Sequence, residues 1–222
     1  MIAVVDYRKG NLLSVERGLR AAGADARITS DAADILSADA VVLPGVGAFA
    51  DAAATMNELG QMEAIRTRVA QGAPFLGICL GLHLMFAEGS EDAPADAPTQ
   101  GLGFVAGCVD KMPSEDAAGR FYKVPHVGWN TLEPARGDGF ACPLLAGIEP
   151  GTYFYFTHSY IAPVCDAAVA LTEHSVRFPS VVQAGPVVFG TQFHPEKSSQ
   201  AGAQVLRNFV GIVNAARGGK GA

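Results

Sequence analysis

Charged side chains are scarce in this chain of 222 residues, because Asp, Glu, Lys and Arg together make up only 17% of it. The formal net charge is −6, and the longest run of basic residues is the pair Arg8–Lys9. Proteins that bind nucleic acid or an anionic membrane surface usually carry a basic patch or stripe. The sequence therefore predicts neither kind of partner.

Long apolar runs and paired cysteines are also missing. No stretch approaches the roughly 20 apolar residues that span a bilayer. Met1 is followed directly by a predicted strand, with no basic leader or cleavage site. We therefore expect a cytoplasmic protein without a membrane segment. The four cysteines, at positions 79, 108, 142 and 165, show neither a Cys-x-x-Cys pair nor zinc spacing, so we expect free thiols and no metal site.

What the chain does have is a large apolar fraction, 49%, which is enough to build a full core. Predicted strands and helices alternate over the first ninety residues, as in a mostly parallel central sheet that helices flank on both faces. Shorter strands follow, with a hairpin around residues 184–186, and they predict antiparallel strands in the second half. We therefore expect one α/β domain over residues 1–222.

The predicted elements have the following bounds. Strands are predicted at residues 2–6, 26–29, 40–43, 74–78, 103–110, 153–160, 168–172, 181–183 and 187–192. Helices are predicted from the cap Asn11 to residue 22, and at residues 31–36, 49–70 with a break at Gly60, and 199–216. A buried helix is also predicted from Leu80 onward, and a loop at residues 89–101.

Cys79 lies between Gly77 and Gly81 in a Gly-x-Cys-x-Gly run, at the junction of a predicted strand and helix. This run is the cysteine form of the nucleophile elbow, a sharp strand-to-helix turn with a nucleophile at its tip. Crowding around the tip favours glycine on both sides, and a helix N-terminus aimed at the sulfur favours the thiolate. A cysteine among apolar residues is more often a small buried hydrophobe. The run by itself leaves both interpretations open.

A histidine near the C-terminus is the candidate base. His194 precedes a proline, which favours extended backbone. In extended chain Glu196 points to the same side as His194 and can reach the imidazole. Cys79, His194 and Glu196 then form a nucleophile, a base and an orienting carboxylate. By itself, His-Pro-Glu is an ordinary turn, so the argument depends on the pairing with the elbow.

An acyl transfer also needs donors for the oxyanion that forms on the carbonyl. The Leu80 amide is the first candidate, because it follows Cys79 directly. The loop at residues 45–47 ends a neighbouring predicted strand and offers the second. Crevices beyond the strand ends are where open α/β sheets bind ligands.

Three runs together resemble the class I (triad) glutamine amidotransferases: Gly-Ile-Cys-Leu-Gly from residue 77, Pro-Gly-Val-Gly-Ala-Phe from residue 44, and Gln-Phe-His-Pro-Glu-Lys-Ser from residue 192. The resemblance covers almost the whole chain and implies their flavodoxin-like fold. It narrows to the glutaminase subunits of imidazole glycerol phosphate synthase, of histidine biosynthesis. The narrowing depends on Val-Asp-Tyr at residue 5 with Gly-Asn-Leu at 10, Lys-Val-Pro-His-Val-Gly-Trp-Asn at 123, and Tyr-Phe-Thr-His-Ser-Tyr at 155.

The resemblance implies that Cys79 attacks the side-chain amide of L-glutamine, giving ammonia, a thioester and finally glutamate. His194 would carry the proton and Glu196 would orient His194. Ammonia would pass to a (β/α)8-barrel cyclase subunit in a heterodimer, which forms imidazole glycerol phosphate and an aminoimidazole carboxamide ribotide. The resemblance implies no metal and no organic cofactor.

The resemblance also implies roles for residues outside the triad. The oxyanion would be held by Leu80 and by the Val46–Gly47 peptide, which would turn its amide inward. Substrate glutamine would lie against Gly45, His83, Glu91, Ser159 and Tyr160. The interface with the cyclase subunit would include Asn11, Trp129 and Lys197.

The chain departs from the family pattern at two places. Position 83 is usually Gln in the pattern Gly-x-Cys-x-Gly-x-Gln, and here it is His83. A histidine differs in reach and can become charged, so we predict a glutamine contact that is weaker or sensitive to pH, with a packing role as the alternative. Arg8–Lys9 stands where the family has small residues, as a solvated charge pair or a contact to the barrel.

Three other interpretations remain open from the sequence. The same triad serves anthranilate- and aminodeoxychorismate-type synthases, so the chain is alternatively a glutaminase subunit of that kind. A cysteine hydrolase acting on esters or peptides can carry the same elbow. A non-catalytic binding subunit can keep the fold, and Cys79→Ala would then have no effect. Turnover of glutamine compared with an ester distinguishes the first two interpretations.

Overall fold

The computed structural model describes residues 1–94 and 97–218. The elements of its first part are β1 (Ile2–Val5), α1 (Leu12–Ala21), β2 (Ala26–Thr29), α2 (Ala32–Ser37), β3 (Ala40–Gly45), α3 (Phe49–Glu58), α4 (Gln61–Ala70), β4 (Phe75–Cys79) and α5 (Leu80–His83). Those of the second part are β5 (Phe86–Gly89), β6 (Thr99–Gln100), β7 (Val105–Lys111), β8 (His126–Thr131), β9 (Glu133–Pro134), β10 (Tyr153–His158), β11 (Tyr160–Ile161), β12 (Ala168–Glu173), β13 (Arg177–Gln183), β14 (Val188–Thr191) and α6 (Ser199–Gly218).

The central sheet has the strand order β2-β1-β3-β4-β14-β13-β12-β9 among the described residues. Its pairs are parallel from β2 as far as β14. The pairs beyond β14 are antiparallel. The expected α/β class, parallel in its first strands and antiparallel in its second half, is therefore confirmed.

Alternate residues of the parallel strands face two separate layers of the core. Ile2 and Val4 of β1 pack in one cluster with Val15 and Leu19 of α1 and with the apolar stripe of α6. Ala3 and Val5 of the same strand pack in a second cluster with residues of α2, α3 and α4. Because successive side chains of a strand point to opposite faces, helices cover both faces of this sheet, as predicted.

Two smaller sheets extend the molecule. Strands β10 and β8 form an antiparallel ribbon, in which Tyr155 is opposite Trp129 and His158 is opposite His126. The other sheet has the order β11-β7-β5-β6. Strand β8 was not predicted, and the predicted strand at residues 153–160 is divided, because β11 leaves the ribbon to pair with β7.

Several local predictions are confirmed. Gly60 has a φ of +66° and separates α3 from α4, and β13 pairs with β14 as the predicted hairpin. Asn11 occupies the N-cap position of α1, but its side chain makes no capping hydrogen bond within the described residues, so that part of the prediction is wrong. No helix in the described ranges is both long and apolar enough to cross a membrane.

The buried helix predicted from Leu80 onward is wrong in its length. Helix α5 ends after one turn, at His83, and Phe86 begins strand β5. Strand β5 pairs with β7 on one side and with β6 on the other, so the apolar run is divided between two elements. Residues 95 and 96 of the predicted loop at residues 89–101 lie outside the described residues, and Thr99–Gln100 of that loop forms strand β6.

Candidate active site

The carboxyl ends of three neighbouring parallel strands form the floor of the site. Gly45, the last residue of β3, is in register with Cys79, the last residue of β4. On the other side of β4, Thr191 at the end of β14 is in register with Ile78. The chain that follows β14 therefore leads directly past the cysteine, and it carries His194.

Cys79 occupies a strained backbone conformation, with φ +54° and ψ −106°. The two flanking glycines are required by space, because a Cβ on Gly77 would lie 2.4 Å from the Gly81 carbonyl oxygen. A Cβ on Gly81 would lie 1.8 Å from the carbonyl oxygen of Leu43. This geometry is the sharp elbow that the Gly-x-Cys-x-Gly run predicts, although the helix behind it is only one turn long.

His194 and Glu196 form the predicted pair. His194 is extended, with φ −99° and ψ 98°, and its Nδ1 lies 2.9 Å from Oε1 of Glu196. The two side chains are 3% and 2% exposed, so the ion pair is shielded from water. Burial alone lowers the pKa of His194, but the nearby Cys79 and the hydrogen-bonded Glu196 outweigh it and raise the pKa to about 9. The imidazole is therefore protonated on both nitrogens, and positively charged, at neutral pH.

The sulfur of Cys79 has two polar neighbours besides the imidazole. It donates to the carbonyl oxygen of Thr157 at 3.9 Å, and Nε2 of Gln192 donates to it at 3.8 Å. Nε2 of His194 is buried and makes no hydrogen bond to any residue within 1–94 and 97–218. The sulfur therefore lies between an acceptor on Thr157 and a donor on Gln192.

A cavity of about 180 Å³ opens beside the sulfur. It brings together most of the residues that the sequence assigned to the oxyanion and the substrate: Val46, Gly47, Leu80, His83, Glu91, Ser159 and Tyr160. Gly45 lies behind this wall. A Cβ there would meet the Tyr7 hydroxyl at 2.3 Å and Cβ of Leu80 at 2.9 Å, so Gly45 allows the elbow to pack against the first strand.

The loop after β3 carries the second candidate oxyanion donor. Gly47 has a φ of +104°, which favours glycine, and both Gly47 and Val46 are exposed. The side chain of Lys9 lies over Gly47, and its ammonium group pairs with Asp51 at the start of α3. Lys9 therefore lies against this loop as a half-exposed ion pair with helix α3.

The substrate contacts predicted on the far wall differ in their surroundings. A carboxylate oxygen of Glu91 accepts a hydrogen bond from the Phe49 amide at 3.0 Å. Burial raises the pKa of Glu91, and the Phe49 hydrogen bond opposes that shift. The carbonyl oxygens of Ser159 and Tyr160 accept from the Met112 amide and from Nδ1 of His158. These hydrogen bonds therefore fix the position of the wall.

His83 lines the cavity but directs a ring nitrogen at another residue. Its Nε2 lies 2.8 Å from Oε1 of Gln192, and the side chain is buried. Burial lowers the pKa of His83 to about 4, against smaller opposing contributions from Gln192 and the Tyr160 carbonyl. Because the ring is neutral above about pH 5, the predicted effect of pH on glutamine binding through His83 is expected only in acid solution.

The residues predicted at a partner interface lie at the surface. Trp129 is 51% exposed and meets the Tyr155 ring edge-on, with ring centroids 6.1 Å apart. The ammonium of Lys197 lies 5.8 Å from the centroid of the same Tyr155 ring. Asn11 is half-buried at the start of α1.

Sequence reasoning missed two residues that position the site. Gln192 contacts the nucleophile, and it lay inside the very run that identified His194. The Ser198 hydroxyl donates to the His194 carbonyl at 2.7 Å and accepts from the Tyr155 amide at 3.0 Å. A buried polar residue at the end of a strand is the signal that could have found Gln192. In the described part of the chain, no group of three or more His, Cys, Asp or Glu side chains is arranged to hold a metal ion.

An elbow cysteine beside a buried His–Glu pair, at the carboxyl edge of a parallel sheet, is the arrangement of a cysteine nucleophile with a base and an orienting carboxylate. A family model described as "Glutamine amidotransferase class-I" matches residues 3–212. The fold agrees. A crystal structure of a glutamine amidotransferase aligns with TM-score 0.69 and 19% identity over 96% of this chain and 100% of that one. The structure of PurLQS from Thermotoga maritima aligns with TM-score 0.66 and 18% identity, over 96% and 98% of the two chains.

Curated relatives show which family within this class the chain resembles. "Imidazole glycerol phosphate synthase subunit HisH" of Geobacillus kaustophilus is 44% identical over 96% of this chain and 97% of its own. The subunit of the same name from Natronomonas pharaonis is 46% identical, over 94% and 93% of the two chains. That of Methanothermobacter thermautotrophicus is 44% identical, over 97% and 100%. The chain belongs to the class-I glutamine amidotransferases and, within them, to the family of imidazole glycerol phosphate synthase subunit HisH.

Proposed function

We propose that this protein is the glutaminase subunit of an imidazole glycerol phosphate synthase. The observation that carries the proposal is the strained Cys79 beside the buried His194–Glu196 pair, at a cavity of about 180 Å³. A cavity of that size suits a small amino acid better than a peptide or a large ester. The protein then releases ammonia from L-glutamine, and it needs no metal or cofactor to do so.

The first step forms a thioester. The thiolate of Cys79 attacks the side-chain carbonyl carbon of glutamine, a C–S bond forms, and the carbonyl oxygen becomes an oxyanion. The amides of Leu80 and of the Val46–Gly47 peptide stabilise that charge, and loss of one such donor commonly costs about 10²–10³-fold in rate. The C–N bond then breaks, and the proton on His194 Nε2 passes to the nitrogen, which leaves as ammonia.

The second step releases glutamate. Water attacks the thioester carbonyl carbon, His194 takes a proton from that water, and the C–S bond breaks to regenerate the thiolate. Glu196 holds Nδ1 of His194 through both steps, so the same nitrogen, Nε2, gives and takes the proton. Glu91 and the backbone of Ser159 and Tyr160 hold the amino-acid end of glutamine.

The partner is a (β/α)8-barrel cyclase subunit that receives the ammonia in a heterodimer. An exposed apolar surface on the β8–β10 ribbon supports this proposal. We call it the Trp129 face, and it consists of Val127, Trp129 and Tyr153, which are 57%, 51% and 60% exposed, with Tyr155 and Lys197 beside them. Contiguous exposed apolar surface of this kind commonly marks a protein interface. We propose that Asn11, which is half-buried at the start of α1, also belongs to this interface.

We further propose that residues 1–222 act as one domain and that the protein works in the cytoplasm. The family model spans residues 3–212, which supports the first point. A role in amino-acid biosynthesis and free cysteines support the second.

The test measures glutamate release from glutamine by the purified chain, alone and with a barrel-type cyclase subunit and its nucleotide substrate. We expect turnover in the complex, formation of imidazole glycerol phosphate, and loss of both in Cys79→Ala. Cys142→Ala is the matched control, because Cys142 is a second buried thiol that lies outside the site. Absence of glutamate in every mixture, or turnover that survives Cys79→Ala, contradicts the proposal.

A further inference from the structure

Two buried polar side chains next to the nucleophile have no part in the reaction described so far. Gln192 is 0% exposed and His83 is 4% exposed. They contact each other at 2.8 Å through Gln192 Oε1 and His83 Nε2. The other end of the same amide, Nε2 of Gln192, lies 3.8 Å from the sulfur of Cys79. The three side chains thus form one line, from His83 through Gln192 to Cys79.

The direction of these hydrogen bonds follows from the chemistry of the groups. In this orientation the Gln192 oxygen faces His83 and can only accept, which selects the His83 tautomer with its proton on Nε2 as the donor. The amide NH₂ of Gln192 is then the end that faces the sulfur. If the amide were reversed, its oxygen would face the sulfur and repel a thiolate, and Nε2 of His83 would instead accept from the amide NH₂.

A thiolate gains more from this contact than a thiol does. When Cys79 is protonated, it donates to Thr157 at 3.9 Å and needs no second donor. When it is ionised, it can only accept, and the Gln192 amide is a donor already in place. A hydrogen bond to the charged form of a group favours that form. Helix α5 is a single turn and ends at His83, so the elbow has little helix behind it to supply the same effect.

We propose that Gln192 is a further catalytic residue, which donates its amide to the Cys79 thiolate, and that His83 acts through Gln192 as a positioning residue. His83 then holds the amide in the orientation that the thiolate needs, instead of contacting the glutamine substrate. This inference rests on the proposed glutaminase function, because it assigns two more residues to the same nucleophile.

Other titratable groups also face Cys79 and must be kept constant in the test. Tyr7 follows β1, and burial together with the charge of Cys79 raises its pKa. His158 ends β10, and burial holds its pKa well below the usual value. His194 lies beyond β14, and Glu91 lies across the cavity. The variants proposed below replace none of these four.

The experiment follows alkylation of Cys79 by iodoacetamide in the full-length chain across pH, with peptide mapping to separate Cys79 from the other three cysteines. Gln192→Met keeps the shape and removes the donor. We expect its alkylation profile to move up by about one pH unit and kcat for glutamine to fall by about tenfold, with KM nearly unchanged. Gln192→Glu places a carboxylate there and should move the profile further in the same direction.

His83 is tested through the same readout. His83→Gln keeps a side chain that can donate to Gln192, and we expect it to retain the parental profile. His83→Leu removes the donor and should give a part of the Gln192→Met shift. Gln61→Met is the matched control, because Gln61 is also 0% exposed but bonds to the carbonyls of Asp6 and Ser30, away from the sulfur.

Two results would overturn the proposal. One is an alkylation profile that is the same in Gln192→Met as in the parent and in Gln61→Met. The other is a His83→Leu variant that changes KM alone, which would assign His83 to the substrate. Because alkylation needs no glutamine, a parent chain that never turns over glutamine but shows the shift would reject the proposed function and keep the amide–thiolate contact.

Discussion

The buried histidines of two regions in this protein differ in charge at neutral pH: His194 is positively charged, whereas His126 and His158 are neutral. His194 is buried against a carboxylate and a cysteine, and its pKa is raised to about 9. His126 and His158, in the β8–β10 ribbon, are buried against each other and against aromatic rings. Burial and the neighbouring His174 lower the pKa of His126 to about 4, and burial and His126 hold that of His158 well below its usual value.

The hydrogen bonds explain the difference. Nδ1 of His158 donates to the Tyr160 carbonyl at 2.9 Å, so Nε2 of His158 accepts from Nδ1 of His126 at 3.1 Å. Nε2 of His126 accepts in turn from the Asn130 amide at 3.3 Å. In this chain of hydrogen bonds each ring donates through Nδ1 and accepts through Nε2, so each ring carries one proton and is neutral. Nδ1 of His194 faces the Glu196 carboxylate instead of a backbone carbonyl, and the negative charge of the carboxylate stabilises a second proton on the ring.

The comparison shows that burial alone does not decide the charge of a histidine. Both kinds of histidine lose contact with water, and the sign of the pKa shift depends on whether Cys79 and a carboxylate or another imidazole lies beside the ring. In the ribbon the histidines bond to each other and to the backbone of the cavity wall, whereas the role proposed for His194 is proton transfer. The following predictions test the two environments in order of decreasing effect.

The largest effect is expected from Glu196→Gln, which removes the carboxylate and makes the surroundings of His194 resemble those of His158. We expect kcat for glutamine to fall by about 10²–10⁴-fold, because the imidazole loses both its orientation and its second proton. Steady-state glutamate release measures the effect, with the exposed Glu149→Gln as control. A fall of less than about threefold would show that the ion pair is only structural.

The pH dependence of the parent is the second prediction. The pKa of His194 is raised, so its proton is present below about pH 9 and is lost above that value. Since ammonia leaves by taking that proton, kcat/KM should fall by about tenfold per pH unit above pH 9. Glu196→Gln should move this alkaline limb to lower pH. A profile that stays flat to pH 10 contradicts the assignment of the proton to His194.

Acid stability is the third prediction. The pKa values of His83, His126 and His158 are lowered in the folded state, so the unfolded chain binds more protons below about pH 6. Stability should therefore decrease as pH falls from 6 to 5, by up to about 1.4 kcal/mol per pH unit for each histidine. Urea unfolding at each pH measures the slope. His126→Phe should reduce that slope, and an unchanged slope argues against a neutral His126.

The smallest effect is expected at His174, which stacks on His126 with centroids 4.3 Å apart and bonds to the Lys123 carbonyl. It is only half-buried, so His174→Gln should change the free energy of unfolding at pH 7 by about 0.5 kcal/mol or less. The acid slope should become slightly shallower, because His174 contributes to the low pKa of His126. A loss of several kcal/mol at pH 7 would make His174 a core residue of the ribbon.

The parallel half of the fold was accessible from the sequence because its signals are local. Strands β1, β3 and β4 are short apolar runs between helix patterns, and Gly60 separates α3 from α4 as predicted. The spacing around Cys79 also has a local cause, since Gly77 and Gly81 touch backbone atoms where a side chain cannot fit. The position of Glu196 two residues after His194 likewise predicted their contact.

The ribbon and the end of the elbow helix were not accessible in the same way. Strand β8 buries His126 and exposes Val127 and Trp129, which reverses the usual pattern of apolar residues inside. The apolar run after Leu80 looks like one helix, because composition does not distinguish a buried helix from a strand. Pairing of β5 with β7 and β6 decides where that helix ends.

The sequence by itself determined the class of fold, the elbow at Cys79 and the contact of His194 with Glu196, because each depends on residues close together in the chain or on a motif of fixed spacing. Only the tertiary structure decided which polar groups surround the sulfur. His83 and Gln192 are 109 residues apart, and Cys79 and Thr157 are 78 apart. Contacts of that kind depend on strand order and register, which no local pattern encodes.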